Sequence, residues 1–295
     1  MSEFTQELVT TSSTVQLVAV NKNTKQPEGM GSGLLLKNND KLFLVTVLHN
    51  ALLRTTTIQG DLVWLPHHPP EMRNRWVHGF TLLKSTLLNE DANTGAPYLD
   101  FSFAEVTAND KFSRWSLDDV TGVRSLPLHR FSACDIRQID AMELSKCHYS
   151  FCGTVEPKDA DVKVCGSQVV FTRFLYIPDL SFKDLDGEYY IRFQTPKPIV
   201  EYKINFAGSS GAPILDTEGR PVALVCGGED GHGNERIVRA VRLDTIRAGL
   251  RDRTLLVTDL ETDRSNPDIM AVLLGMLDED QRKFYWGKVD KGMIV

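Results

Sequence analysis

Short apolar stretches broken by turn residues dominate the chain from about residue 15 to 255. Val15–Val20 alternates as a strand does, and the polar stretch Asn21–Glu28 reads as a turn. Gly33–Leu36 and Leu42–Val47 flank Asn38-Asn39-Asp40, a hairpin signal. The same pattern predicts strands at Gly79–Lys84, Phe101–Val106, Val162–Val164 and Gln168–Phe174. A last group falls at Tyr189–Gln194, Pro213–Asp216, Val222–Val225 and Ile237–Leu243. Many short strands with frequent turns predict an all-β sandwich or barrel in preference to alternating β and α units. The pattern changes near the end. Asn266 can cap a helix that Pro267 opens, and Ile269, Leu273, Met276 and Leu277 recur at helical spacing. A helix near 266–288 is expected, with Phe284, Tyr285 and Trp286 close behind the stripe.

Composition narrows the classes of function. The 295 residues are 42% hydrophobic and 24% charged, with a formal net charge of −6. That balance is ordinary for a globular protein and offers no general attraction to nucleic acid or anionic membrane. Residues 1–7 have neither a basic start nor an apolar core, unlike a signal peptide. The longest apolar run, Ile269 to Leu277, is too short to span a bilayer. The cysteines, Cys134, Cys147, Cys152, Cys165 and Cys226, are odd in number and irregularly spaced. Reduced thiols in a cytoplasmic protein are the expectation. His67 and His68 stand in a Pro-rich stretch with no Cys or carboxylate at a ligand spacing, so neither metal nor cofactor is expected.

Three segments carry candidate chemistry. In Gly208-Ser209-Ser210-Gly211-Ala212-Pro213, a glycine two residues before Ser210 lets the backbone N–H groups of Gly208 and Ser210 aim into one hole. A plain Gly/Ser turn between strands is the bland alternative. His49 ends the apolar run Leu44–Leu48, where an imidazole is well placed as a neutral base, or merely caps a strand. Asp100 opens the alternating segment Asp100–Ala104. A buried carboxylate there needs a partner, and an imidazole N–H would serve. An exposed turn aspartate is the competing reading, with Asp91 and Asp110 as rivals for the role.

Taken together, Gly31-Ser32-Gly33-Leu34-Leu35, Val45 to Ala51, Leu99 to Ala104 and Gly208 to Pro213 resemble the signature segments of trypsin-like serine proteases. They stand in that family's order, His before Asp before Ser. The resemblance implies two six-stranded antiparallel β-barrels. The first, at 12–120, would carry His49 and Asp100, and the second, at 121–255, would carry Ser210. Residues 256–295 form the expected helical extension. An α/β-hydrolase would run Ser, acid, His, and a subtilisin-type enzyme would put its Asp before its His. The secreted digestive members carry an aspartate before the nucleophile and a cysteine after the histidine, where this chain has Ser209 and Asn50. The likeness is closer to the intracellular and bacterial branch, which needs no N-terminal cleavage.

By the same resemblance Ile204 lies at the floor of the substrate pocket, and Cys226-Gly227-Gly228 pairs with the substrate backbone. An apolar floor favours a small or apolar side chain, while Arg239 would invite an acidic one and Glu229 and Asp230 oppose it. The function expected is a serine endopeptidase acting through an acyl-enzyme on polypeptide substrates. A partner that switches it on is a variant of that reading, with the C-terminal helix as a docking element. The alternative is a trypsin-fold binding or scaffold protein.

Overall fold

The computed structural model describes residues 6, 9–10, 13–21, 27–51, 56–60, 85–89, 98–106, 133–139, 148–155, 164–165, 168–169, 173–198, 206, 208–228, 237–252 and 255–259. The chain is mainly β, in two parts. In the first part, β1 (Thr14–Asn21), β2 (Pro27–Asn38) and β3 (Lys41–Thr46) form an antiparallel meander. The β2–β3 turn pairs Asn38 with Lys41, and Asn39 takes a φ of 54°. An asparagine tolerates that left-handed conformation, which a two-residue hairpin needs. β3 runs into a single helical turn, α1 (Leu48–Ala51). Then come β4 (Thr56–Gly60), β5 (Ser85–Asn89) and β6 (Tyr98–Val106). β7 (Cys134–Asp135) pairs in parallel with β2 and leads into a short 3-10 turn capped by Asp135.

The second part is a closed six-stranded barrel. Its strands are β8 (His148–Val155), β11 (Arg173–Asp186), β12 (Tyr190–Gln194), β13 (Pro213–Leu215), β14 (Pro221–Gly228) and β15 (Ile237–Arg242). They close in the order β11-β12-β15-β14-β13-β8, and β9 (Val164–Cys165) pairs only with β10 (Gln168–Val169) among the described residues. Tyr149, Phe151, Ile177, Ile191, Phe193 and Ile214 fill the barrel interior, with the Tyr149 and Phe193 rings 5.0 Å apart. Pro178 and Asp179 bulge out of β11, where the register to β8 shifts and Asp179 reaches a φ of 54°. That bulge bends a 14-residue strand around the barrel. α2 (Leu243–Asp252) follows, burying Leu243 and Ile246, and β16 (Leu255–Asp259) ends the described chain.

The resemblance implied two closed barrels, and among the described residues the strands of the first do not close. Its strands run β16-β5-β6-β3-β2-β1-β4, with β7 beside β2. β16 pairs along the outer edge of β5, from Leu255↔Asn89 to Asp259↔Ser85, so β16 and β4 are the two ends of the sheet, and among the described residues no pairing joins them. A strand has two hydrogen-bonding edges, and both of those on β5 are taken. Residues 255–259 thus return to the first sheet as a strand, although 256–295 were expected to be helical. The helix expected near 266–288 and the strand expected at Gly79–Lys84 lie outside the described residues. Among the described residues, no helix is long and apolar enough to cross a membrane.

Thr10, ahead of β1, and Thr14, its first residue, fasten to the barrel through their hydroxyl groups. Thr10 Oγ1 lies 2.8 Å from Ser150 Oγ, and Thr14 Oγ1 donates to the Cys152 carbonyl at 2.6 Å. Thr10, Ser13 and Thr14 are all buried. Buried hydroxyls persist where each finds a partner, so these contacts tie the front of the chain to β8.

Candidate active site

The site lies where the two parts meet, and its first half is a part-buried hydrogen-bonded pair, His49 and Asp100. His49 sits in α1, directly after β3, and is 6% exposed. Asp100, on β6, approaches it with both carboxylate oxygens. Oδ2 lies 2.9 Å and Oδ1 3.2 Å from His49 Nδ1, and the His49 backbone N–H donates to Oδ1 at 3.1 Å. Two bonds from one residue fix the carboxylate relative to the ring. With Nδ1 given to Asp100 as donor, Nε2 is left as the basic nitrogen.

Two neighbours of Asp100 are held in their neutral forms. The Asp100 backbone N–H donates to the Tyr190 hydroxyl at 3.1 Å. Burial first, then the charge on Asp100, raises the Tyr190 pKa, so the phenol stays neutral. The Cys226 thiol, fully buried on β14, is raised for the same two reasons and stays protonated. Cys134 and Cys152 are likewise free and buried, and burial pushes the Cys134 thiol up to about 11.

The second half is the loop before β13. Gly208 has a φ of 96° and Gly211 a φ of 87°, conformations that disfavour any residue with a Cβ. At Gly211 space forbids one as well, because a Cβ would stand 1.9 Å from the Ser32 carbonyl oxygen. Ser209 is buried, and both its N–H and its hydroxyl donate to the Phe206 carbonyl, at 3.0 and 2.7 Å. Gly211 N–H donates to the Val225 carbonyl at 2.7 Å, docking the loop on β14.

Contacts from the first sheet bring this loop to the histidine. The Ser210 carbonyl accepts the Ser32 N–H at 2.7 Å and Asn50 Nδ2 at 2.8 Å, and Asn50 is the residue after His49. Asn50 Nδ2 also donates to Thr46 Oγ1 at 2.9 Å, and that hydroxyl donates to the Ser32 carbonyl at 2.6 Å. A Cβ at Gly31 would meet the Asn50 side chain at 2.5 Å, so the close fit of Asn50 depends on that glycine. His49 and Asp100 are thus joined directly, and Ser210 is tied to the chain next to His49.

Other expected site residues are scattered in role. Ile204 lies outside the described residues. β13 pairs with β14 only as far as Leu224, so along this edge Gly227 and Gly228 run beyond β13. A Cβ on Gly227 would meet nothing within 4 Å, which leaves open space beside this stretch of β14. The expectation that Arg239 invites an acidic substrate residue meets a different arrangement. Arg239 Nε bonds Asp186 Oδ2 at 2.6 Å, and its guanidinium stacks 3.9 Å from the centroid of the Tyr190 ring. Its charge already has a carboxylate partner. Ser32, Thr46, Asn50 and Tyr190 did not stand out in the sequence as site residues. The available signal was Ser32 and Thr46, small hydroxyl residues set inside glycine-rich or apolar strand segments that must be buried.

No family model and no curated protein matches the chain. Solved structures are similar in chain path. They include the Rv3671c protease of M. tuberculosis in its active form, with a TM-score of 0.38, 12% identity and coverage of 83% of this chain and 82% of that one. Human heparin binding protein is similar with a TM-score of 0.47 and 10% identity, over 80% of this chain and 89% of that one. Likeness at this level says nothing about the residues of the site.

Proposed function

We propose that this chain is a trypsin-like serine endopeptidase. The observation that carries the reading is the Asp100 carboxylate held 2.9 Å from Nδ1 of a buried histidine whose sequence neighbour, Asn50, bonds the Ser210 carbonyl. In this reading Ser210 Oγ attacks the carbonyl carbon of the scissile peptide bond while its proton passes to His49 Nε2. The imidazolium so formed is stabilised by Asp100. The backbone N–H groups of Gly208 and Ser210 receive the developing oxyanion. Collapse breaks the C–N bond, His49 returns the proton to the leaving amine, and water hydrolyses the acyl-Ser210 ester by the reverse relay. The substrate backbone lies along Gly227–Gly228, where the edge of β14 extends beyond β13.

Treatment with a fluorophosphonate followed by peptide mass spectrometry tests the assignment. The expected result is a single adduct on Ser210, lost in Ser210→Ala and in His49→Ala. Failure to label the folded protein would make this a trypsin-fold binding protein. Labelling that appears only with added cell extract would mark a protease activated by a partner.

A further inference from the structure

Ser32 makes contacts that β-sheet pairing alone does not require. Its N–H donates to the Ser210 carbonyl at 2.7 Å, and its hydroxyl donates to the Gly208 carbonyl at 2.9 Å. It is 0% exposed, and its own carbonyl accepts the Thr46 hydroxyl. One residue of the first sheet therefore grips the loop of the second barrel on both sides of Ser209.

The Gly208–Ser209 peptide is held at its two polar ends. Its C=O receives the Ser32 hydroxyl, and its N–H donates to the Phe206 carbonyl at 3.0 Å. Gly208 has the wide backbone freedom of a glycine at a φ of 96°, so nothing within the residue fixes this peptide plane. The orientation of that plane sets where the Gly208 N–H before it and the Ser210 N–H after it point. Those are the two donors assigned to the oxyanion, and misaiming one of them costs most in the transition state.

Resting on the hydrolytic reading of Ser210, we propose that Ser32 is a positioning residue, whose side-chain hydroxyl holds the oxyanion-binding loop in register across the junction of the two sheets. The bond forms only when the sheets are docked. The hydroxyl thus couples formation of the donor pair to assembly of the two halves, and the backbone bond from Ser32 N–H anchors Ser210 separately.

The test is Ser32→Ala in the full chain, read by peptidase kinetics and by amide hydrogen exchange at Gly208 and Ser210. The proposal expects kcat to fall about ten- to a hundred-fold with KM changed less than about threefold, since a misaimed oxyanion donor acts on the transition state. It also expects faster exchange at both amides. Ile177→Val, a conservative change deep in the barrel, controls for stability and should leave kcat as in the parent. If Ser32→Ala matches the parent in kcat and in exchange, the proposal is overturned. If the parent is never labelled at Ser210, the hydrolytic reading fails, and the amides still decide whether the hydroxyl fixes the loop. If Ser32→Ala does not fold, Ser32→Cys replaces it. Its thiol is a weaker donor of similar size, and the same changes are expected in smaller amount.

Discussion

The two halves of the molecule solve the problem of burying a β-sheet in different ways. The second half closes into a barrel whose inward residues, such as Phe151, Ile191 and Phe193, touch one another, and each of its six strands pairs with a strand on both sides. Among the described residues the first half is an open sheet, and its core is shared. Leu34, Val45 and Phe101 pack in one cluster with Leu224 and Val241 of the barrel and with Leu243 and Ile246 of α2. The closed half carries the loop of Gly208 to Ala212 with Ser210. The open half carries His49 and Asp100, and through Ser32 and Asn50 it also holds the loop. A site assembled across a shared core forms only when both halves are docked, so the open half depends on the closed one more than the reverse.

The comparison breaks most sharply at the chemistry. Ser210→Ala, on the closed half, and His49→Ala, on the open half, should each lower kcat/KM by about a million-fold, because the groups act as a unit. Asp100→Asn should cost about ten-thousand-fold through the wrong histidine tautomer. Steady-state assay of a cleaved peptide checks all three. Equal activity of Ser210→Ala and the parent would falsify the mechanism.

Gly211→Ala attacks the junction itself. The new methyl group would overlap the Ser32 carbonyl oxygen and face a φ of 87°, so the loop must move off the first sheet. Destabilisation beyond about 4 kcal/mol is expected in urea denaturation, together with loss of fluorophosphonate labelling. A stable, fully labelled variant would mean that the two halves do not need this close approach.

Core deletions separate the private core from the shared one. Phe151→Ala should cost about 3–5 kcal/mol and Leu34→Ala about 2–5 kcal/mol. The difference should appear in amide exchange. Leu34→Ala should speed exchange in β2, β3 and β6 and also in α2, while the strands around Phe151 keep their protection. Exchange confined to the first sheet would show that the shared cluster does not couple the halves.

The smallest effect is expected at Tyr190→Phe, which crosses the junction with one hydrogen bond. It leaves the part-buried Asp100 N–H without its phenol acceptor, at a cost of about 1–3 kcal/mol in denaturation. Activity should fall less than for Asp100→Asn, because the carboxylate keeps its two contacts with His49.

Strands β1, β3, β12, β14 and β15 were legible because each coincides with its expected apolar segment to within one residue at either end or contains it. β8 and β11 were not. In β8 Gly153 stands in phase with Tyr149 and Phe151 and breaks the apolar alternation, and β11 carries Pro178 and Asp179 at a bulge that shifts its period. Local pattern reading assumes an unbroken period of two, and a bulge violates it. β16 was missed for another reason, since its partner β5 lies far away in sequence.

The sequence by itself determined the residue types available for chemistry and the local shapes that display them. His49 at the end of an apolar strand, Asp100 at the start of another, and glycines on either side of Ser209-Ser210 are local features, visible in stretches of a few residues. Only the tertiary structure decided that Asp100 meets His49, that Arg239 is already paired with Asp186, and that residues 255–259 pair along the outer edge of β5. Each of these depends on which distant strands share an edge or a core. Such pairings are chosen by the sum of packing and hydrogen bonding over the whole molecule, and no short window of sequence carries that sum.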